Sequence, residues 1–135
     1  MPYAACAKHG ANGATEESTM LSQLLKSKLH HLRVTSCAPE YQGSLLIDED
    51  LMDKAGIANW EKLLVANLEN GERFETYAIA GERGSGIACL NGAAACKGKV
   101  GDRLIVMTFA LFTDEERRAH VPTVVVLDAD NKPVA

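Results

Sequence analysis

Short apolar runs separated by glycine, proline and polar residues recur along most of the chain. Runs of about four to eight apolar or β-branched residues between turn signals are typical of strands. We interpret residues 29–34 as a strand, although the apolar spacing of LSQLLKSKLHHL also fits a helix. Residues 87–90, 103–112 and 121–127 form further apolar runs, and each predicts another strand.

Two sets of capping residues predict short helices between these runs. Asp48 can cap a short helix, and Gly56 suits the left-handed position at its end. Thr113 and Glu116 have the spacing of a capping box, and Pro122 ends the helix that follows it. The chain therefore contains one or two helical turns among many strands.

A hairpin is predicted within residues 62–80, around Asn70 and Gly71. Both residues tolerate the positive φ that a tight hairpin needs. Together with the other runs this gives about six to eight short strands, which favours a closed or nearly closed β-barrel over a βαβ sheet. The predicted fold class is mainly β with short helices.

Length and composition indicate one folded domain. The 135 residues suit a single core, which we place at residues 20–135, after a mobile tail at 1–19 that has no apolar periodicity. A net charge of -4 gives no basic field for nucleic acid. No apolar run is long enough to span a membrane and residues 1–19 lack a signal-peptide core, so we expect a cytoplasmic protein.

Metal and phosphate sites receive little support from the sequence. The cysteines form no CxxC pair and the histidines match no ligand spacing, so we expect no metal and free thiols. These residues are Cys6, Cys37, Cys89, Cys96, His9, His30, His31 and His120. The glycine-rich stretches at residues 81–86 and 92–99 miss the dinucleotide and P-loop patterns, and we interpret both as turns.

The pair Gly43-Ser44 interrupts the apolar stretch at residues 41–47 and has two interpretations. Composition alone favours a bulge or loop, because glycine weakens a strand. The functional alternative is that the Ser44 hydroxyl attacks the preceding carbonyl, which requires a distorted peptide bond that glycine permits. A Ser-His-Asp triad is disfavoured because Ser44 does not lie in a GxSxG elbow.

Four strings in one order resemble the pyruvoyl-dependent aspartate 1-decarboxylase family. They are LLKSKLHHLRVT, YQGSLLIDEDLMDKAGI, NGERFETYAIAGERGSGI and NGAAACKGKVGDRLIVM. One such string can arise by chance, but four in the family's order and spacing are specific. The resemblance spans about residue 20 to the C-terminus.

The resemblance implies a double-psi β-barrel that assembles as a homotetramer with active sites between neighbouring subunits. It implies self-cleavage between Gly43 and Ser44, which converts Ser44 into a covalent pyruvoyl group. That carbonyl serves as the electron sink for decarboxylation, so neither pyridoxal phosphate nor a metal is required. The implied reaction converts L-aspartate to β-alanine and CO2 for pantothenate and coenzyme A, and some members need a maturation factor.

The resemblance also assigns roles to charged and hydroxyl residues. Lys28 and Arg73 match the cationic residues that hold the substrate carboxylates, for which the planar arginine fork is well suited. Tyr77 matches the proton donor, and Thr76 the residue that hydrogen-bonds the carbonyl of the cleaved bond. Without the resemblance, Lys28 and Arg73 would be exposed strand residues. Adjacent Thr76 and Tyr77 face opposite sides of a strand, so both serve one site only at a barrel rim or between subunits.

A polar loop completes the implied pocket. Asn91 and the backbone of Gly92, Ala93 and Ala94 match residues that line it, although an ordinary Asn-Gly turn is the alternative. Tyr41 precedes the cleavage point and is expected to pack against the pyruvoyl group. Two rival functions are a barrel that binds or regulates without being cleaved, and the same chemistry on another amino acid such as glutamate.

Overall fold

The computed structural model describes residues 19–134, and eight strands and two α-helices order most of this range. The strands are β1 (Ser22–Arg33), β2 (Ser36–Ala38), β3 (Leu45–Asp48), β4 (Lys62–Asn67), β5 (Arg73–Gly81), β6 (Ala88–Asn91), β7 (Arg103–Phe112) and β8 (Thr123–Val126). The helices are α1 (Glu49–Ala55), α2 (Asp114–Ala119) and a 3-10 helix over Gly92–Lys97. The mobile tail was predicted at residues 1–19, and all of these except residue 19 lie outside the described residues.

All eight strands belong to one mixed sheet in the order β2-β6-β3-β5-β4-β7-β1-β8. The pairs β1–β8, β2–β6 and β3–β5 are parallel, whereas β1–β7, β3–β6, β4–β5 and β4–β7 are antiparallel. The prediction of a mainly β fold with short helices is confirmed, and the mixed sheet is consistent with a double-psi barrel.

The core lies on one face of the central strands. Val106 of β7 pairs with Leu29 of β1 on one side and Val65 of β4 on the other, and all three side chains are fully buried. Burying a leucine or valine contributes roughly 1.5–3 kcal/mol, so such rows stabilise the register as well as the fold. The opposite face of β7 and of the edge strand β8 carries exposed apolar side chains, among them Phe109 and Val124.

Local capping signals are confirmed at both α-helices. The Asp48 side chain accepts a hydrogen bond from the Asp50 N–H, and Gly56 ends α1 in the left-handed region at φ +74°. Thr113 and Glu116 form both hydrogen bonds of a capping box at the start of α2. These signals involve residues close in sequence, which explains why the sequence sufficed to predict them.

Three elements differ from the sequence predictions. Strand β1 begins at Ser22, well before residue 29, because it pairs with β7 along nearly its whole length, and the helical alternative is wrong. The predicted hairpin exists as β4–β5, but residues 68–72 form a longer connection, in which Gly71 rather than Asn70 has positive φ. Residues 92–97 form a 3-10 helix instead of a turn, whereas residues 83–84 form the turn predicted within 81–86.

Within the described residues, three features concern membrane-spanning helices, cysteine pairing and metal ligands. No helix within residues 19–134 is long and apolar enough to cross a membrane. Cys37, Cys89 and Cys96 are free thiols. In the same part of the chain, no three His, Cys, Asp or Glu side chains are grouped to hold a metal ion.

Candidate active site

The Gly43–Ser44 peptide lies in the bend that leads into β3. Gly43 has φ +100°, a conformation that a residue with a side chain rarely adopts. Ser44 is only 6% exposed, and its hydroxyl donates a hydrogen bond to the Tyr77 carbonyl oxygen. The Ser44 carbonyl oxygen accepts a hydrogen bond of 2.8 Å from the Asn91 N–H. The serine is therefore buried and fixed between β5 and β6.

Gly92 lies against the same peptide. It has φ +60°, and a Cβ atom added there would lie 3.4 Å from the carbonyl oxygens of both Gly43 and Tyr41. The Tyr41 side chain is itself exposed. The structure thus brings the backbone of Tyr41, Gly43 and Gly92 together beside the bond between Gly43 and Ser44.

Asn91 is buried at the end of β6, where the 3-10 helix begins. Its side-chain Oδ1 lies 3.0 Å from the Cys89 Sγ, which is placed to donate an S–H hydrogen bond. The Asn91 amide NH2 group is then left as a donor for another partner. Ala93 and Ala94 follow in the 3-10 helix, where Ala93 is exposed and Ala94 half-buried.

Tyr77 and Thr76 point to opposite faces of β5. Tyr77 pairs with Lys62 on the exposed face and is 38% exposed, whereas Thr76 pairs with Leu63 on the buried face. Among the described residues, no hydrogen bond joins the Thr76 hydroxyl to Gly43. The backbone of Tyr77 contacts Ser44 directly, while its ring stacks on Trp60 with ring centroids 6.1 Å apart.

Among the described residues, neither of the two predicted cationic residues hydrogen-bonds to Ser44. Arg73 is exposed at the first position of β5, opposite Ala66. Lys28 is half-buried in β1, between Met107 of β7 and Val124 of β8. Strands β7 and β4 separate β1 from β5, so strand pairing does not bring Lys28 to the serine.

His30 follows on the same strand as Lys28. Burial lowers the pKa of His30 below its ordinary value, and the nearby charges of His31 and Lys28 lower it further. The His30 and His31 rings stack with centroids 4.0 Å apart, and His31 has φ +71° at a register shift of β1. Lowering the pKa favours the neutral imidazole at neutral pH.

The chain is similar to a family of known enzymes. A family model described as aspartate decarboxylase matches residues 20–134. The aspartate 1-decarboxylase of Caldicellulosiruptor saccharolyticus is 54% identical over 85% of this chain and 90% of its own length. The enzymes named aspartate 1-decarboxylase from Desulfotalea psychrophila and Phocaeicola vulgatus are 53% and 54% identical, over 83% and 82% of this chain and 94% and 95% of their own lengths.

The chain belongs to the aspartate decarboxylase family.

Two residues beside the site of this aspartate decarboxylase family member escaped the sequence prediction. Cys89 was read only as a free thiol, because its contact with Asn91 depends on side-chain geometry at the end of β6. Trp60 carried no signal except that it is the only tryptophan of the chain. Its contact with Tyr77 arises because the chain just before β4 runs beside β5.

Proposed function

We propose that the chain is a pyruvoyl-dependent aspartate 1-decarboxylase that converts L-aspartate to β-alanine and CO2. Membership of the aspartate decarboxylase family and relatives of that name at about half identity support the reaction. The observation that carries the proposal is the Gly43–Ser44 peptide, with a positive-φ glycine and a buried serine hydroxyl held at one point. A plain loop does not require a buried, hydrogen-bonded serine.

The residues around this peptide fit the formation of a pyruvoyl group from Ser44. Attack of the Ser44 Oγ on the Gly43 carbonyl carbon replaces the amide by an ester and transfers the hydroxyl proton to the Ser44 nitrogen. Elimination releases the Gly43 carboxylate and leaves dehydroalanine, and water then replaces its nitrogen, which departs as ammonia. The products are a chain of residues 1–43 and a chain that begins at the former Ser44. The hydrogen bond from Asn91 N–H to the Ser44 carbonyl oxygen holds the new end in place.

When formed, the pyruvoyl group supplies a carbonyl electron sink for the electron pair left as CO2 departs. The side chains of this protein then bind the substrate and move a proton. Tyr77 has a partly exposed ring at the edge of the Ser44 site and is the proposed proton donor to the carbon that loses CO2. A positioned acid of this kind contributes about 10²- to 10⁴-fold to a rate.

The substrate carries two carboxylates, and the proposed ligands for them are Lys28 and Arg73. Asn91 adds a neutral donor, because its Oδ1 faces Cys89 and its NH2 group remains. We infer that the Gly92, Ala93 and Ala94 backbone also lines this pocket. Thr76 stays a prediction as the residue that assists cleavage, since its side chain lies on the buried face of β5.

We also infer a homotetramer with active sites between subunits. The outward face of β7, β1 and β8 exposes large apolar side chains, which a monomer rarely leaves to water in such number. These are Phe109, Leu111, Val124 and Val126. Lys28 lies on β1 beside this face, and two strands separate β1 from β5 in the sheet. Contact between copies would bring Lys28 to the active site of a neighbouring subunit.

Two variants test the proposed mechanism. Ser44→Ala removes the attacking hydroxyl and is expected to abolish both chain cleavage and decarboxylation. Tyr77→Phe keeps the backbone carbonyl that binds Ser44, so cleavage should proceed while turnover falls by about 10²-fold or more. Intact-mass analysis measures cleavage, and released CO2 and β-alanine measure turnover.

Several outcomes would overturn the proposal. A wild-type chain that stays uncleaved after prolonged incubation would favour the non-catalytic barrel. A cleaved chain that releases CO2 from glutamate but not from aspartate would show a different substrate. Decarboxylation by the Ser44→Ala protein would exclude the mechanism altogether.

If purified wild type cleaves only after addition of cell extract, a maturation factor is required. The expected setting is cytoplasmic pantothenate synthesis, which fractionation of producing cells and complementation of a β-alanine auxotroph would test.

A further inference from the structure

Trp60 lies beside Tyr77 in an unusual state. It is the only tryptophan of the chain and is 69% exposed. This large apolar side chain therefore contributes little to the core. Its ring and the Tyr77 ring stack with centroids 6.1 Å apart and planes inclined by 28°. This separation and tilt lie within the range in which aromatic pairs attract each other.

The backbone at Trp60 is held in a sparsely populated conformation. Its φ of +77° is rare for a residue with a bulky side chain and persists only where surrounding contacts determine it. The Trp60 N–H donates to the Ala78 carbonyl oxygen at 2.8 Å, and the Ala78 N–H donates to the Glu61 carbonyl oxygen at 2.9 Å. The Asn59 Oδ1 accepts from the Ala80 N–H at 2.9 Å. The segment at 59–61 is thus fixed to β5 directly after Tyr77.

The other end of this segment is fixed through Glu61. Its Oε1 accepts from the Ala58 N–H at 2.9 Å, and its Oε2 lies 2.7 Å from the Lys26 Nζ. Lys26 also donates to the Gly56 carbonyl oxygen at 2.9 Å, next to the end of α1. Hydrogen bonds of the residues before and after Trp60 therefore hold its backbone in one place, unlike the backbone of a free loop.

The Tyr77 ring has few other restraints. It projects from the exposed face of β5, where its cross-strand neighbour Lys62 pairs instead with Glu75 at 3.2 Å. No hydrogen bond within residues 19–134 holds the Tyr77 hydroxyl. The stacked Trp60 ring is therefore the aromatic contact that restricts the Tyr77 ring in the described chain.

We propose that Trp60 is a positioning residue that holds the Tyr77 ring where its hydroxyl can deliver a proton. This inference rests on the proposed function, in which Tyr77 is the proton donor. Among the described residues, no hydrogen bond or aromatic contact joins Trp60 to Ser44, Lys28 or Arg73, so the proposed effect of Trp60 passes through the tyrosine. Removing its ring leaves the Tyr77 hydroxyl present but lets it occupy unproductive positions.

Kinetics of Trp60 variants test the inference. Trp60→Asn removes the ring and keeps a residue that tolerates positive φ, so it should lower kcat by about 3- to 10-fold, with complete chain cleavage and little change in KM. Trp60→Phe retains a stacking ring and should stay within about 2-fold of wild type. Wild-type kcat in Trp60→Asn, or an equal loss in Trp60→Phe, would overturn the inference.

A double-mutant cycle separates positioning from a general structural effect. In a Tyr77→Phe background no hydroxyl remains to be positioned, so Trp60→Asn should reduce kcat no further. If Trp60→Asn lowers kcat by the same factor in both backgrounds, it does not act through Tyr77, and the inference fails.

Fluorescence tests the contact without any activity. As the only tryptophan, Trp60 reports its own surroundings, and its emission should change between the wild type and Tyr77→Leu, each in the uncleaved Ser44→Ala background. Unchanged emission would show that the contact does not exist in solution. A wild-type chain that cleaves but does not decarboxylate, with the emission change present, would instead count against the proposed function.

Discussion

Gly92 supports the Gly43–Ser44 peptide from one side, and replacing it by alanine should slow self-cleavage. A Cβ atom there would lie 3.4 Å from the carbonyl oxygens of Gly43 and Tyr41. That distance lies at the border between a tight and an ordinary contact, so the neighbouring carbonyls shift by at most a few tenths of an ångström. Because a displacement of about 1 Å can cost about 10²-fold in rate, we expect cleavage to slow by about 3- to 10-fold, or about 0.7–1.4 kcal/mol of barrier.

The same substitution also strains the backbone, and a matched variant separates this effect. Alanine in the left-handed region costs about 1–2 kcal/mol, partly offset by about 0.4–1 kcal/mol from a less flexible unfolded chain. The net loss of stability is about 1 kcal/mol. Gly71 has φ +76° and no atom within 4 Å of the added Cβ, so Gly71→Ala should show the strain without the contact.

The assay follows the uncleaved fraction of each variant over time by intact mass, at one protomer concentration and temperature. Urea unfolding in the Ser44→Ala background gives the two stabilities without interference from cleavage. The expected result is a similar free energy of unfolding for both variants and slower cleavage for Gly92→Ala only. Equal cleavage rates at equal stability would refute the argument that Gly92 controls the position of the Gly43 carbonyl.

Three further predictions concern Gly43, Cys89 and Asp48. Gly43→Ala should abolish cleavage in the intact-mass assay, because φ +100° strongly disfavours an L residue while the added Cβ itself meets only ordinary contacts. Cys89→Ala should raise KM by about 3-fold, since the Asn91 amide loses its partner, and Cys89→Ser should restore it in steady-state kinetics. Asp48→Asn should lower the free energy of urea unfolding by about 1–3 kcal/mol, because the amide NH2 group that replaces Oδ2 cannot accept from the Gly86 N–H. Burial raises the pKa of Asp48, but the hydrogen bonds to its carboxylate outweigh burial and hold that pKa below its ordinary value. The ionised carboxylate therefore stabilises the fold above about pH 4, and this stabilisation is lost as pH falls through the folded pKa. In Asp48→Asn this part of the loss of stability at acid pH should be absent.

The parts of the fold that the sequence predicted are those with local signals. The cap at Asp48 and the left-handed Gly56 act within a few residues, and the structure contains both. The start of β1 at Ser22 was missed because its alternation includes polar residues that gain strand structure only by pairing with β7. That pairing joins distant parts of the chain, and no window along the sequence contains it.

The candidate site divides in the same way. Family resemblance selected Ser44, Asn91 and Tyr77 without any geometry. In the structure the Ser44 hydroxyl donates to the Tyr77 carbonyl oxygen, and the Ser44 carbonyl oxygen accepts from the Asn91 N–H. Trp60 was not selected, because its relation to Tyr77 follows from how the chain before β4 runs beside β5. A side chain whose role is to position another leaves little trace in spacing or composition.

The alternation of β5 decides whether Thr76 and Tyr77 can share one site. The sequence required that Thr76 and Tyr77, on opposite faces, share one site only at a barrel rim or between subunits. Ser44 lies just before β3 and its hydroxyl donates to the Tyr77 carbonyl oxygen, so the β5 backbone gives Tyr77 a route to the serine within one chain. The Thr76 side chain points to the opposite face, so its place in the same site stays a prediction. Lys28 has no such route, since two strands separate β1 from β5. If Lys28 binds substrate as proposed, contact between copies is its route to the serine, whereas the hydrogen-bond partners of Ser44 lie in its own chain.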